Sequence, residues 1–211
     1  MKLQPLWEFF IQEVFLFEST DILWNPYRGE NPELDQPGGA KIRQKNLFKY
    51  LECFKNPPHF FLVGEAPGPW GCRFSGIPFT SERALAQGQM PFQGRPSSIL
   101  DALASERSGT ILWEVLTDFF PDFLLWNCIP YHPTNPGEPL SIRTPKKSEI
   151  LEHSHILHHM IKILNPERIV AIGRKAEIAL NSIGIEAAYV RHPSHGGAKE
   201  FNTGIKRNFQ S

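Results

Sequence analysis

Four short apolar runs place the strongest limit on how this chain can fold. They are continuous rather than alternating in polarity, which is typical of parallel strands buried on both faces of a sheet. The predicted strands are 59–64, 124–127, 168–173 and 187–190. Helix-like segments separate them, and strands that alternate with helices favour an α/β domain. We therefore expect a three-layer α/β/α sandwich around a central, mostly parallel four-stranded sheet.

Helical patterns fill the segments around these strands. The predicted helices after the first strand are 97–103, 111–119, 148–164 and 174–182. Residues 6–17 and 40–54 favour two earlier helices, and the Pro, Gly and Asn content between 25 and 39 predicts a loop that joins them. We expect one domain over residues 1–211, with an N-terminal helical region at 1–58 and an α/β core at 59–211.

Length and composition fit one domain. The chain has 211 residues, of which 41% are hydrophobic and 21% charged, close to ordinary globular usage. The net charge is +0, so the total neither requires nor excludes a nucleic-acid partner, because local patches matter more. The apolar runs are too short for a membrane span, and acidic residues interrupt any signal-peptide core. We expect a cytoplasmic monomer without a membrane partner.

The cysteine and histidine patterns argue against a metal or a cofactor. Cys53, Cys72 and Cys128 are widely spaced and contain no Cys-x-x-Cys pair, so neither a disulfide framework nor a cysteine-built metal site is expected. A reducing cytoplasm fits this usage. A histidine cluster lies within 153–159, but an apolar stripe on the same predicted helix leaves His155 and His159 on the opposite face. We expect a solvated surface there.

Chemically useful residues follow three of the predicted strands. Glu65 comes directly after the first strand, Asn127 ends the second, and His192 follows the last. In open α/β sheets the ligand crevice lies outside the carboxyl ends of the strands. These residues, far apart in sequence, are therefore expected to line one crevice.

Each candidate also has an ordinary structural explanation. Glu65 could cap the next helix, Asn127 could be a turn residue, and a single histidine is more often structural. Phe79 lies in a loop where an aromatic ring can stack on a flat ligand, which contributes roughly 1–3 kcal/mol. With 16 phenylalanines in the chain, Phe79 could equally belong to the core. The functional interpretation rests on the combination of these residues.

The combined motifs resemble those of the uracil-DNA glycosylase superfamily. The segment 64–68 reads Gly-Glu-Ala-Pro-Gly, Pro78-Phe79 follows it, and Asn127 and Pro130 come next. Arg143-Thr144-Pro145 and a final His192-Pro193-Ser194 complete the order. The similarity is closest to the family whose first motif reads Gly-Glu-Ala-Pro-Gly and whose last reads His-Pro-Ser, and it spans roughly residues 59 to 209. This resemblance implies the same three-layer sandwich.

The resemblance implies a role for each position. Glu65 lies in the motif that positions or activates the hydrolytic water, and His192 would stabilise the leaving base at its O2. Phe79 would stack on a flipped-out base. Asn127 would read the edge of that base, because its acceptor and donors match N3–H and O4 of uracil and mismatch cytosine. The remaining candidates for the substrate pocket are Gly64, Ala66 and Ser194.

Contacts to DNA are expected beside the last motif. Its small residues suit a loop that enters a DNA groove, and basic residues nearby are available for phosphates. The candidate DNA-contacting residues are Arg143, His195, Gly196 and Lys199, with Lys206 and Arg207 further along the tail. The expected partner is DNA that contains uracil or another deaminated base.

Two departures from the family pattern bear on activity. The Gly-Glu-Ala-Pro-Gly family usually binds an iron–sulfur cluster through four cysteines, whereas this chain has three with the wrong spacing, so no cluster is expected. Residues 69–73 also replace the acids that often follow the motif. Either Glu65 bears more of the water chemistry, or activity is weak or redirected to another damaged base.

The expected function is hydrolysis of the N-glycosidic bond of a damaged base, uracil above all, in base excision repair. The nucleotide must leave the stack, because that bond cannot be reached inside a duplex. Two alternatives stay open at this point. One is a non-catalytic DNA-binding protein that recognises lesions. The other is a hydrolase of a free nucleoside or nucleotide, which needs no basic rim around the crevice.

Overall fold

The computed structural model describes residues 3–209. Its elements in chain order are α1 (Gln4–Phe9), a π-helical segment (Phe10–Val14), β1 (Leu23–Trp24), α2 (Gly39–Glu52), β2 (Phe60–Gly64), α3 (Cys72–Ser75), α4 (Glu82–Ala86), α5 (Arg107–Leu116), a 3₁₀ turn (Thr117–Phe119), β3 (Phe123–Asn127), β4 (His132–Pro133), α6 (Lys147–Leu164), β5 (Arg168–Ile172), α7 (Arg174–Ser182), β6 (Ala188–Val190) and α8 (Ala198–Phe209).

The centre of the molecule is a four-stranded parallel sheet in the order β3-β2-β5-β6. Each predicted strand is confirmed to within one residue at either end. Helix α6 packs against α1 and α7, while α5 packs against α8. At the outer edge of β3, the backbone N–H of Leu125 donates to the Tyr50 hydroxyl at 2.8 Å, so a side chain of α2 satisfies an edge donor. The predicted sandwich class is confirmed.

Of the two helices predicted in the N-terminal region, α2 reproduces the second (40–54), whereas the first differs from its prediction. The first helix ends at Phe9 and continues as a π-helical segment, where the Phe10 ring stacks on Trp126 of β3 at 4.5 Å. Strand β1 then pairs antiparallel with β4, which lies within the predicted α/β core. Tertiary contacts of this kind cannot be read from local periodicity. The N-terminal segment therefore contributes to the same hydrophobic core as the sheet.

A buried ionic network joins the N-terminal region to the loop after β2. Asp35 accepts hydrogen bonds from Arg43 at 3.0 Å and from Arg73 at 2.7 Å, and all three side chains are almost fully buried. The Trp24 ring lies 5.0 Å and 4.2 Å from the two guanidinium carbons. Burial lowers the pKa of Arg43 to about 10, and Asp35 opposes that shift. The shared carboxylate thus anchors α3 on α2.

The predicted helix at 97–103 is wrong. The buried carboxylate of Glu82 accepts the backbone N–H groups of Ser97 and Ser98, and also the Ser98 hydroxyl at 2.5 Å. The Ser97 carbonyl accepts from the backbone N–H of Gln36 at 2.7 Å. These distant partners satisfy the backbone of the segment, which is why it stays extended.

The other helices agree better with the sequence. Helices α6 and α7 reproduce the predictions for 148–164 and 174–182, and the predicted 111–119 covers the end of α5 and the 3₁₀ turn. Helix α8 was not predicted, because its buried side chains are only Phe201 and Ile205 among many polar residues. Within residues 3–209, no helix has the length and apolar character needed to cross a membrane.

Candidate active site

Four of the predicted site residues meet at the carboxyl edge of the sheet. Gly64 ends β2 and is the register partner of Asn127 at the end of β3. A Cβ atom on Gly64 would lie 2.5 Å from the Phe79 ring and 2.8 Å from Oδ1 of Asn127. The Phe79 and His192 ring centroids are 5.7 Å apart. Strand pairing and one ring contact therefore bring these residues together at one edge of the sheet.

The Asn127 amide is almost buried, with 4% of the residue exposed. In the described part of the chain, no group forms a hydrogen bond to this amide. Neither amide atom is among the fully enclosed side-chain atoms that lack a partner, so both keep some access to solvent. An unpaired donor and acceptor at this position are therefore available to a ligand edge, which a simple turn asparagine would not offer.

His192 is held as a neutral imidazole of defined tautomer. Its Nδ1 accepts the backbone N–H of Ser194 at 3.2 Å and lies 2.8 Å from the Ser194 hydroxyl. A backbone N–H can only donate, so Nδ1 carries no proton and the hydrogen is on Nε2. Burial, aided by His195, lowers the pKa of His192 to about 4. Ser194, predicted to line the pocket, thus orients the histidine.

Phe79 has an uncommon backbone conformation, with φ at +53°. The Trp113 indole N–H donates to the Phe79 carbonyl at 3.1 Å, and Gly109 lies against the same carbonyl, where a Cβ would be 2.3 Å away. Helix α5 therefore fixes the loop that carries this ring. Phe79 is only 5% exposed and also belongs to the hydrophobic core, so the core alternative accounts for part of its burial.

Glu65 begins the loop after β2 and is half-buried, as is the neighbouring Ala66. The Glu65 carbonyl accepts the Ile129 N–H and the Cys128 thiol, both at 3.1 Å. These bonds fix the backbone of the loop against the segment after β3. Burial raises the pKa of the Glu65 carboxyl, and the positive charge of Lys175 partly opposes the rise.

Sequence reasoning missed two residues on the same edge of the sheet. Gly173, directly after β5, has φ of +90°, and a Cβ there would lie 3.3 Å from Cβ of His192. Lys175 follows in α7, donates to the Pro145 carbonyl at 3.0 Å, and influences Glu65 electrostatically. The signal that could have found them was their place after the third apolar run.

Arg143, predicted to contact DNA, has partners within the protein. Its guanidinium forms a two-pronged ion pair with Glu149, at 2.7 Å and 2.5 Å, and also donates to the carbonyls of Ile22 and Thr134. The same ion pair lowers the pKa of Glu149. These partners use four of the five N–H groups of the guanidinium, so Arg143 ties the N-terminal region to α6, and its contact with DNA stays a prediction.

The other predicted DNA-contacting residues lie on the loop after His192 and at the start of α8. His195 and Gly196 form an exposed turn, with φ of +51° and +77°. Lys199 is exposed on the first turn of α8. Nearby Arg191 pairs with Glu200 at 3.1 Å. The contacts of His195, Gly196 and Lys199 with DNA stay predictions.

The cysteines do not form the set of ligands that an iron–sulfur cluster requires. Cys72 and Cys128 are buried at different places, where burial raises their thiol pKa, and the Cys128 thiol already donates to Glu65. Between residues 3 and 209, no group of three or more His, Cys, Asp or Glu side chains is arranged to hold a metal ion. The histidines of α6 differ in exposure: His153 is buried against Tyr131, whereas His155 is exposed.

Comparisons with known proteins agree with this geometry. A model of the uracil DNA glycosylase superfamily matches residues 54–207. Among similar solved structures is the crystal structure of wild-type SMUG2 from Pedobacter heparinus, with a TM-score of 0.62 and 16% sequence identity, covering 97% of this chain and 98% of that chain. At that identity the likeness concerns the fold. No curated protein sequence matches the chain at a significant level. The family match covers most of the chain and confirms the resemblance seen in the motifs, so this protein belongs to the uracil DNA glycosylase superfamily.

Proposed function

We propose that this protein is a DNA glycosylase that hydrolyses the N-glycosidic bond of a flipped-out damaged base, with uracil preferred, in base excision repair. The observation that carries the proposal is the unpartnered Asn127 amide on the same crevice as a neutral His192. Membership of the superfamily supports DNA as the partner.

Base recognition follows from the donors and acceptors of Asn127. In the proposed complex, Nδ2 donates to O4 of uracil and Oδ1 accepts its N3–H, while Phe79 faces the ring. Cytosine presents the reverse pattern and leaves both amide groups mismatched. Gly64 allows Phe79 and Asn127 to lie close together where they would hold the base, since a Cβ at position 64 would overlap both.

Bond cleavage follows from the charges that develop. As the bond between C1′ of the sugar and N1 of the base breaks, its electron pair moves to the base and the sugar becomes cationic. His192 Nε2–H then donates to O2, where negative charge grows, and preorganised donors act most strongly in such a water-poor site. The Glu65 carboxylate holds the water whose oxygen bonds to C1′, and the water proton passes by way of this carboxyl to the base.

The test is a cleavage assay on single- and double-stranded oligonucleotides that contain uracil, hypoxanthine or xanthine at one position. The proposal predicts an abasic site and free uracil. Binding of the uracil strand without an abasic product would instead identify a non-catalytic lesion-binding protein. Release of uracil from deoxyuridine as fast as from DNA would identify a nucleoside hydrolase.

Two variants test the assigned residues in that assay. His192→Ala should lower the single-turnover rate by about 10²–10³-fold, the usual loss for one such donor. Asn127→Asp should weaken selection of uracil, because an ionised carboxylate cannot donate to O4. Normal turnover and selectivity in both variants would remove these residues from the mechanism.

A further inference from the structure

Trp70 is an exposed aromatic side chain on the loop that carries Glu65. The chain has five tryptophans, and Trp70 is the exposed one, with 45% of the residue accessible. Trp113 and Trp126 are buried, and Trp7 and Trp24 are partly buried. Single exposed apolar residues are common, but Trp70 lies only five residues after Glu65, on the loop that leaves the carboxyl end of β2.

The backbone beneath Trp70 is fixed. Pro69 precedes Trp70, and the proline ring restricts φ at position 69. The N–H groups of Gly71 and Arg73 both donate to the Gly68 carbonyl, each at 3.3 Å. Upstream, Nδ1 of the buried His132 donates to the Pro67 carbonyl at 2.7 Å. The indole therefore projects from an ordered turn, not from a loose loop.

Glu106, at the start of α5, packs against the same turn. A Cβ on Gly71 would lie 2.0 Å from the Glu106 carboxylate, so a side chain cannot be accommodated there. Burial raises the pKa of Glu106. This packing adds a contact that holds the turn in place.

Nearly half of the Trp70 residue is accessible to solvent. In the described residues, no aromatic ring packs on it and no group accepts a hydrogen bond from its Nε1. An aromatic side chain on a rigid support loses little conformational entropy when it binds, which makes it an effective anchor. Its open face is suited to a flat, apolar partner.

We propose that Trp70 stacks on a DNA base next to the flipped-out nucleotide. Trp70 lies five residues after Glu65, beyond the carboxyl end of β2, on the same loop as the proposed water-binding residue. A strand that delivers one nucleotide to the crevice brings its neighbours to this rim. Nucleobases stack on exposed aromatic rings with little dependence on sequence. The inference rests on the proposed function of the crevice.

The binding test uses a fluorescein-labelled single-stranded oligonucleotide that contains a tetrahydrofuran abasic analogue, which has no base to remove. Fluorescence anisotropy gives the dissociation constant. Trp70→Ala should weaken binding about 5- to 150-fold, the loss expected for one base–aromatic stack, and Trp70→Phe should restore most of the affinity. Leu16→Ala is the matched control, since Leu16 is also exposed (59%) but lies in the N-terminal region.

Tryptophan fluorescence supplies a second measurement. Acrylamide should quench the exposed Trp70 in the free protein, and the oligonucleotide should protect it, whereas Trp70→Phe should lack this protected component. Equal affinity of wild type and Trp70→Ala, or quenching that DNA does not change, would overturn the proposal. If Trp70 had only a structural role, Trp70→Ala would lower the melting temperature, and Trp70→Phe would not restore DNA binding independently of stability.

The outcomes separate this inference from the proposed function. Stacking by Trp70 without cleavage of any lesion would leave the inference in place and reject the glycosylase activity. Cleavage of uracil DNA with unchanged affinity and KM in Trp70→Ala would reject the inference alone. Failure of the protein to bind DNA would reject both.

Discussion

At the residue scale, the absence of a side chain at Gly64 allows Phe79 and Asn127 to lie close together at the candidate site. A methyl group there would overlap Phe79 and Asn127, at 2.5 Å and 2.8 Å. Gly64→Ala should therefore lower kcat/KM on uracil DNA by about 10²-fold or more, because small misplacements of a reacting group have effects of this size. The measurement is single-turnover cleavage.

A control separates this local effect from loss of folding. Gly137 has φ of +75° and open space at its Cβ position, so Gly137→Asn should leave activity unchanged. Wild-type rates in Gly64→Ala, with a normal melting temperature, would mean that the base binds elsewhere.

The Glu65–Lys175 pair should set the acid limb of the pH–rate profile. Burial raises the Glu65 pKa and Lys175 lowers it, and the proposed mechanism needs the ionised carboxylate. Activity is therefore lost as pH falls through the Glu65 pKa. Lys175→Met removes the opposing charge and should shift this limb to higher pH, which kcat/KM measured across pH detects. If the acid limb stays in place in Lys175→Met, or persists in Glu65→Gln, then the titrating group is another residue such as His192.

At the scale of elements, side chains from several elements position the loop between β2 and α4. Helix α5 supports Phe79 through Trp113, and the segment after β3 supports Glu65 through Cys128. Asp35 joins α2 to α3 through Arg43 and Arg73. The loop between β2 and α4 is thereby ordered although it contains little regular structure.

Asp35 should be among the most sensitive positions for stability. Removal of its carboxylate in Asp35→Ala leaves two buried guanidinium groups without their shared partner, and loss of one member of a buried pair costs about 3–5 kcal/mol. Urea denaturation should show this loss in the free energy of unfolding. Glu200→Ala, which breaks the exposed pair with Arg191, is the control and should change stability much less. Equal effects of the two substitutions would contradict the importance of the buried network.

At the scale of the whole molecule, the N-terminal region and the sheet share one core. The Phe10 ring stacks on Trp126, β1 pairs with β4, and Arg143 donates to the Ile22 carbonyl. We expect a chain that starts at residue 39 to lose cooperative thermal unfolding and near-ultraviolet circular dichroism, because it uncovers that core. A truncated chain with a sharp transition and native circular dichroism would show that the sheet folds without this region.

The sequence alone determined the sheet and which residues follow the carboxyl ends of its strands. Short continuous apolar runs that alternate with helical segments favour strands buried on both faces, and the carboxyl ends of parallel strands share an edge. For this reason Asn127 and His192 were predicted to lie together although 65 positions separate them. These features follow from the pattern of residues near each strand.

Only the tertiary structure decided which polar groups are free and which are used internally. The segment at 97–103 was mispredicted as a helix because its partners, Glu82 and the N-terminal region, are chosen by packing and not by local sequence. Packing likewise chose Glu149 as the partner of Arg143. The same packing fixes the His192 tautomer through Ser194, leaves the Asn127 amide unpaired and exposes Trp70. Periodicity reports which face of an element is buried, but hydrogen-bond partners depend on how the elements meet in three dimensions.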